Sequence, residues 1–465
     1  MRFLHSSRVL LWSILFGVTV TLHAGPERPN FLIILADDLG YGDLRYLGGE
    51  AWTPNLDKLA ASGVKLAAHY VHPMCSPTRA ALLTGRYASR FGVTGAQNEQ
   101  ALPVGTATMA SVLGKEGYDT ALIGKWHLGS AVETAPNRFG FSYSYGCLAG
   151  GATPDTHEYK KGPHQRTWHR NGELIEEKGH ITDLITAEAV KWIEERGSEP
   201  FFLYVPFTAV HVPMAEPEQW LGVNGHIKDP AKQLHAADVS HLDDSVGKLL
   251  AALERKGLKK NTVVLFLSDN GAHDGVDNKQ DKYPGAETRP SMRVSGSNGP
   301  LRGWKGSVYE GGIRTPAIAS WPGNWGPGTI ETPVSVTNWL PTFCGLAGAP
   351  EPSKPSCDGR DISDWLRLGA KPADAPEPPV YCVAPGFRAR MLRHGDFKLV
   401  VTEGKNGKPA TMELFNLKLD PGETKNVMAE NQGAVAQLSA MLPGYAAQDN
   451  TSVVPRRKPK GSTTE

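Results

Sequence analysis

Residues Asn30–Ala36 (NFLIILA) and Thr262–Ser268 (TVVLFLS) are near-continuous apolar runs of strand length, the pattern of strands covered on both faces. Shorter runs at 64–68, 120–123 and 201–205 read the same way. Between them the apolar positions fall into helical spacing. Thr53-Pro54 opens a helix through Leu56, Leu59 and Ala60 that Gly63 stops, and Pro77 suits the first turn of another running to Leu83. Further helices are predicted at 108–116, 183–196 and 336–346, and at 234–256, where Leu242, Val246, Leu249 and Leu250 share a face. Strands alternating with helices imply parallel crossovers, so the fold class is α/β: a large, mostly parallel sheet sandwiched by helices. A Pro-rich linker at 372–379 separates this unit, 25–371, from a small C-terminal α+β domain at 380–450. In that domain 380–383, 397–401 and 412–415 read as strands and 434–442 as a helix. Residues 451–465 carry no apolar pattern and read as a flexible tail.

The N-terminus departs from this pattern. Arg2 and Arg8 precede an apolar run at 9–22, which is shorter than the roughly 20 residues a membrane span needs. With Leu22-His23-Ala24 after it, segment 1–24 reads as a cleaved signal peptide. The expectation is an exported chain, periplasmic or secreted, with no stable membrane span and in a compartment that permits disulfides. Lys and Arg total 49 against 48 Asp and Glu, a net charge of +1, which argues against a nucleic-acid-binding surface. The 21% charged and 8% aromatic content rules out a disordered polyelectrolyte. There are 5 cysteines, an odd number, so one of them needs an explanation other than pairing.

Ligands of parallel sheets bind beyond the carboxyl ends of the strands, where loops converge. The 30–36 strand runs into Asp37-Asp38, and the 262–268 strand into Asp269-Asn270. The 120–123 strand leads to Lys125 and His127, and the 201–205 strand to His211. Three aspartates packed together repel unless a cation neutralises them. With Asn270 they make an all-oxygen set, which suits Ca2+ or Mg2+ rather than zinc. Either acidic pair alone reads as readily as a turn or a helix cap; two pairs at the ends of two buried strands favour the cation. Cys75 sits just before Pro77, hence at a helix N-terminus where the dipole favours an anion, and Arg79 reaches the same spot. A lone cysteine is ordinarily a small buried apolar residue.

Cys75-Ser76-Pro77-Thr78-Arg79, with Leu83-Thr84-Gly85-Arg86 downstream, resembles the signature of the formylglycine-dependent type I sulfatases, a family with the alkaline-phosphatase-like fold. Asp37-Asp38-Leu39-Gly40-Tyr41-Gly42, Gly124-Lys125-Trp126-His127-Leu128-Gly129, Ser268-Asp269-Asn270-Gly271 and Gly303-Trp304-Lys305-Gly306 resemble further blocks of that family. So does Glu413-Leu414-Phe415-Asn416-Leu417 near the C-terminus. The resemblance implies that a separate formylglycine-generating enzyme converts Cys75 to formylglycine (3-oxoalanine). One hydroxyl of the aldehyde hydrate would displace the alcohol at sulfur, and the other would expel sulfate by re-forming the aldehyde. It also implies one Ca2+ per chain on Asp37, Asp38, Asp269, Asn270 and the modified Cys75, acting as Lewis acid and template. Lys125 and Lys305 would hold sulfate oxygens. His211 would protonate the leaving sugar oxygen, and His127 and Arg79 would orient the hydrate. Asp269 is a further candidate, as base for the attacking hydroxyl. His241, Asp243 and Asp244, on the 234–256 helix, read as structural.

The nearest rival is a phosphatase or phosphodiesterase of the same superfamily, which needs two zinc ions, extra histidine ligands and typically a Thr or Ser nucleophile. A non-catalytic binder of sulfated glycan is a third reading, but it has no use for this whole set together. Two locally basic segments are expected to contact a sulfated oligosaccharide or polysaccharide: 157–172, with His157, Lys160, Arg166 and Arg170, and 278–306, with Arg293 and Arg302. An ordinary solvated loop explains them equally well. The chain looks similar to the group acting on 6-sulfated galactose or N-acetylgalactosamine. With Cys75 assigned to chemistry, Cys147, Cys344, Cys357 and Cys382 admit three pairings, and the sequence does not choose among them.

Overall fold

Strand β1, Asn30–Ala36, runs near the middle of a ten-stranded sheet because it has no polar face to offer water; all its residues are buried. The computed structural model describes residues 28–352, 357–404 and 408–451. The expected leader, 1–24, and the expected tail beyond Thr451 lie outside the described residues. The other strands of the large sheet are β2 (Val64–Leu66), β3 (Asp119–Ile123), β4 (Tyr143–Cys147), β5 (Trp168–Arg170), β6 (Glu173–Leu174), β7 (Phe201–Pro206), β8 (Thr262–Ser268), β9 (Ala317–Ser320) and β10 (Gly328–Ile330). Their order across the sheet is β10-β2-β9-β8-β1-β7-β3-β4-β5-β6. The run from β8 to β4 is parallel, and antiparallel strands flank it on both sides.

Alternation along β1 builds two cores. Phe31, Ile33 and Leu35 face a layer formed by α2 (Cys75–Thr84), α3 (Met109–Lys115) and α6 (Trp339–Ala347), through Leu83, Leu113, Trp339 and Phe343. Leu32 and Ile34 face α1 (Pro54–Ser62), α4 (Ile181–Glu194) and α5 (Pro230–Arg255), through Leu56, Ile185, Val246 and Leu249. Full burial of each such side chain contributes about 1.5–3 kcal/mol, so a strand buried on both faces anchors both layers.

The C-terminal strands β11 (Val380–Val383), β12 (Ala389–His394), β13 (Phe397–Thr402) and β14 (Thr411–Asn416) form an antiparallel meander. Tyr381, Leu392, Leu399 and Leu414 on one face meet Leu438 of helix α7 (Gln432–Ala446). Cys382, Met391, Val400 and Phe415 on the other face pack on Tyr70, Val308 and Ile313 of the large unit. The predicted elements at 30–36, 262–268 and 380–383 have these bounds. Strand β12 has no counterpart among them, because Arg390, Arg393 and His394 interrupt its apolar pattern. Nor do β4 and β9, which are short and rich in small residues. Helix α2 starts at Cys75 itself, two residues before Pro77. All five cysteines are free thiols, so none of the three pairings is formed.

Candidate active site

The carboxyl ends of four strands deliver the polar groups. Past β1, Asp37 N donates to Ala209 O at 2.8 Å, and Asp38 adopts the left-handed region at φ 65°. Past β8, Ser268 ties the two acidic turns together: its hydroxyl donates to Asn270 O at 2.9 Å and accepts from Leu39 N at 3.1 Å. Asp38 N donates to Asp269 Oδ1 at 3.2 Å, and Asn270 Nδ2 donates to Asp38 Oδ1 at 2.7 Å. Past β3, Gly124 has φ 138°, and a Cβ there would lie 2.0 Å from Pro206 O. Only glycine permits that approach, through which Lys125 N donates to Pro206 O at 2.6 Å. Lys125 Nζ then reaches Asp37.

Cys75 is the first residue of α2, a helix buried along its whole length. Its thiol donates to Asp37 Oδ1 at 3.3 Å and lies 3.9 Å from Asp38 Oδ1. One turn on, the fully buried Arg79 donates through Nε and Nη2 to Asp269 Oδ2, at 3.1 and 2.8 Å, and through Nη1 to Lys125 O at 2.8 Å. Lys305, which follows no strand end, is placed by its N donating to Ala272 O at 2.9 Å, and its Nζ donates to Asp38. His211 presents Nδ1 to Val212 O and Nε2 to Asp38 Oδ2, the latter at 3.8 Å. The structure thus brings Asp37, Asp38, Cys75, Arg79, Lys125, His211, Asp269, Asn270 and Lys305 into one contact network, and His127 stands beside it.

Three carboxylates face three permanent cations, so the pocket without a ligand is nearly neutral. Burial works against the charge on Asp38, yet Lys305, His211 and His273 hold its pKa far below the usual carboxylate range. Burial, with Asp37 alongside, pushes Asp269 up to about 6 despite Arg79. Burial and the flanking Asp269 and Asp37 raise the Cys75 thiol well above its ordinary value, so it is not a standing thiolate. His127 is held neutral by burial and then by Lys125 and Arg79. Both its ring nitrogens lack hydrogen-bond partners among the described residues. Burial also lowers His211, with Asp38 pulling the other way.

The donor set suits a hard divalent cation. One ligand atom each from Asp37, Asp38, Cys75 and Asp269 lies within 4.8 Å of the others. Asn270, whose Nδ2 bonds Asp38, keeps its Oδ1 buried without a partner among the described residues, a spare oxygen acceptor beside this set. Sequence reasoning missed His273, which is buried with both ring nitrogens unpartnered among the described residues and within electrostatic reach of Asp38 and Lys305. It also missed Tyr159 and Tyr283, which pack against Ala149. The only signal for the tyrosines was an aromatic residue in each basic loop.

The two basic loops prove less free than their charge suggested. His157 is buried with Nε2 2.9 Å from Gly179 O, and its ring lies against Trp168. Arg170 is taken up by Glu188, at 2.8 Å, and by Glu177 at 3.4 Å. Arg302 pairs with Glu413 at 3.3 Å and covers the Tyr309 ring. Neighbouring acidic and aromatic groups already engage these three. Arg166 makes an exposed pair with Glu176, and Arg293 points Nη2 at Asp274 O, 3.5 Å away. Lys160 lies over the rings of Tyr159 and Tyr283. His241, Asp243 and Asp244 do act within the structure. Asp243 accepts from Asn55 N and Leu56 N at the start of α1, and Asp244 pairs with Lys248.

Residues 29–349 match the family model described as Sulfatase. The chain is 34% identical to N-acetylgalactosamine-6-sulfatase of Rattus norvegicus over 385 residues, 77% of this chain and 70% of that protein. It is 32% identical to steryl-sulfatase of Mus musculus, covering 74% of this chain and 66% of that one. Among solved structures it is similar to Ps i-CgsB in complex with k-i-k-neocarrahexaose, with TM-score 0.80, 29% identity, and coverage of 92% of this chain and 94% of that one. It is also similar to PsFucS1 sulfatase from Pseudoalteromonas sp., with TM-score 0.73, 27% identity and 90% of each chain covered. A phosphonate monoester hydrolase of Agrobacterium radiobacter, at 19% identity and TM-score 0.60, covering 91% of this chain and 96% of that one, shares the fold alone. Fold, strand-end carboxylates and family model agree: the chain belongs to the sulfatase family, enzymes that hydrolyse sulfate esters.

Proposed function

We propose that this chain is exported and hydrolyses sulfate esters of a sulfated carbohydrate, using Cys75 matured to formylglycine and a Ca2+ ion on Asp37, Asp38, Asp269 and Asn270. The observation that carries the reading is the convergence of Arg79, Lys125 and Lys305 on the three carboxylates around Cys75. As formylglycine, residue 75 supplies a hydrated aldehyde, with one hydroxyl to attack sulfur and a second to release sulfate. A Ca2+ ion held there would supply Lewis-acid polarisation. That the donor group contains no imidazole favours calcium over the two-zinc phosphatase reading.

The chain's own residues do the rest. The Lys125 and Lys305 ammonium groups, which converge on Asp37 and Asp38, are suited to hold sulfate oxygens and to stabilise charge growing there in the transition state. Arg79 stays on Asp269 and fixes it; Asp269 in turn is suited to take a proton from residue 75. His127, neutral and unpartnered, is suited to accept a hydrogen bond from the second hydroxyl. Beside Asp38, and with a sulfate anion bound, His211 gains proton affinity and can protonate the leaving oxygen. The sugar reading is supported by the N-acetylgalactosamine-6-sulfatase relatives and by the neocarrahexaose complex of the structural neighbour. Co-expression with a formylglycine-generating enzyme, mass spectrometry of the Cys75 peptide and an assay on 4-nitrophenyl sulfate test the proposal. Formylglycine and sulfate release are expected together; fully converted enzyme with no turnover of any sulfate ester would sink it.

A further inference from the structure

The loop after β4 and the loop after β8 meet where Lys161 N donates to Lys282 O at 2.8 Å. The contact sets Tyr159 and Tyr283 edge to face, with ring centroids 5.5 Å apart at 84°. Lys160 Nζ lies 5.2 Å from the Tyr159 ring centre and 5.7 Å from that of Tyr283. Tyr159 is anchored: its hydroxyl accepts from Asn98 Nδ2 at 3.2 Å, while Asn98 Oδ1 accepts from Gly150 N at 3.1 Å. Tyr283 is different. It is fully buried, and its hydroxyl has no hydrogen-bond partner among the described residues. Nearly all buried hydroxyls in folded proteins are paired, so this one is left needing a partner that the described residues do not supply.

Its surroundings show which ligand. A Cβ on Gly151 would lie 2.9 Å from Tyr283 Oη and 3.7 Å from His211 Nδ1, and a Cβ on Gly150 would lie 2.4 Å from His127 Nε2. The two-glycine step therefore separates His127 from Tyr283 and His211, and the phenol lies on the His211 side, toward the leaving alcohol of the proposed reaction. Burial, then Tyr159 and Asp37, hold the phenol protonated at any working pH, which makes it a donor.

We propose that Tyr283 recognises the leaving group: its hydroxyl donates a hydrogen bond to an oxygen of the sugar beside the sulfated position. Lys160, against the same ring pair, lies ready for a second anionic group of the glycan. This rests on the sulfated-carbohydrate reading above.

Tyr283→Phe keeps the ring and its contact with Tyr159 and removes only the hydroxyl. Matured wild type and variant, with formylglycine verified by mass, are assayed on 4-nitrophenyl sulfate, which carries no sugar. They are also assayed on N-acetylgalactosamine 6-sulfate, galactose 6-sulfate and a sulfated carrageenan oligosaccharide, with Tm measured alongside. The ratio of kcat/KM for the saccharide turned over best to that for the aryl sulfate is expected to fall roughly 10- to 100-fold. Tm is expected to hold or rise, since an unpaired polar group is removed. An unchanged ratio, or a common loss on both substrates with a lowered Tm, overturns the proposal. So does a wild type that hydrolyses the aryl sulfate and no saccharide. Matured wild type inactive on every sulfate removes the underlying reading instead.

Discussion

Asp269 shows how much one carboxylate does here. Its Oδ1 accepts from Asp38 N and holds the two acidic turns in register, while its Oδ2 takes two donors from Arg79. Asp269→Asn keeps the size but trades the charge, and one of the two oxygens becomes a donor that clashes with Asp38 N–H or with the guanidinium. Turnover of 4-nitrophenyl sulfate is expected to fall on the order of 100-fold or more, the scale of losing one transition-state electrostatic partner. The rise in Tm on adding Ca2+ to the wild type should shrink in the variant, read by thermal melts with and without EGTA; an equal rise in both would remove Asp269 from the ion's ligands. Strand ends made Asp37, Asp38, Asp269, Asn270 and Lys125 legible in sequence. Tyr283 and His273 were not, because a burial state and an unmet hydrogen bond are properties of the folded neighbourhood and leave no mark on spacing.

At the scale of elements, α5 joins α4 and α1 through its polar face. His241 Nδ1 pairs with Glu216 at 2.8 Å and its Nε2 with Asp183 at 3.3 Å, while Trp220 stacks on the ring. Burial works against the imidazolium, but the hydrogen bond and charge of Glu216, helped by Asp183, raise its pKa above the ordinary value of 6.5. A raised folded pKa means that the folded chain holds the proton more tightly, so the stabilisation is full below the unfolded value and disappears as pH climbs through the folded one. His241→Gln should therefore lower Tm most below about pH 6.5, with the gap to wild type closing as pH climbs through the raised folded value. A gap that stays constant or widens with pH would show that the imidazolium is not what stabilises this joint. Helical spacing placed α5 correctly, yet it could not reveal these partners, which come from α4 and from residues far away in the chain.

At the scale of the molecule, one buried ionic cluster joins the small sheet to the large unit. Lys398 Nζ on β13 lies 2.9 Å from Glu310 Oε1 and 2.8 Å from Glu423 Oε1, with all three side chains buried, and Tyr70 donates to Glu310 at 2.7 Å. Lys398→Met would leave two buried carboxylates facing each other, at a cost of about 3–5 kcal/mol. Urea unfolding should show that loss; a loss under about 1 kcal/mol would mean that the apolar face of the small sheet alone holds the join. The sequence by itself determined the elements whose signal is local: strands buried on both faces, helices with one apolar stripe, and the acidic pairs and cationic residues that follow strand ends. Side-chain periodicity and the convergence of loops at one edge of a parallel sheet are short-range consequences of chain geometry, so they survive without coordinates. Tertiary structure alone decided which charges are spent on one another, as with Arg170 on Glu188 and Arg302 on Glu413, and that all five cysteines are thiols. It alone decided, too, that the Tyr283 hydroxyl is left without a partner among the described residues. Those outcomes depend on residues brought together from distant parts of the chain, where Coulomb attraction and desolvation act over a few ångströms of space and not along the sequence.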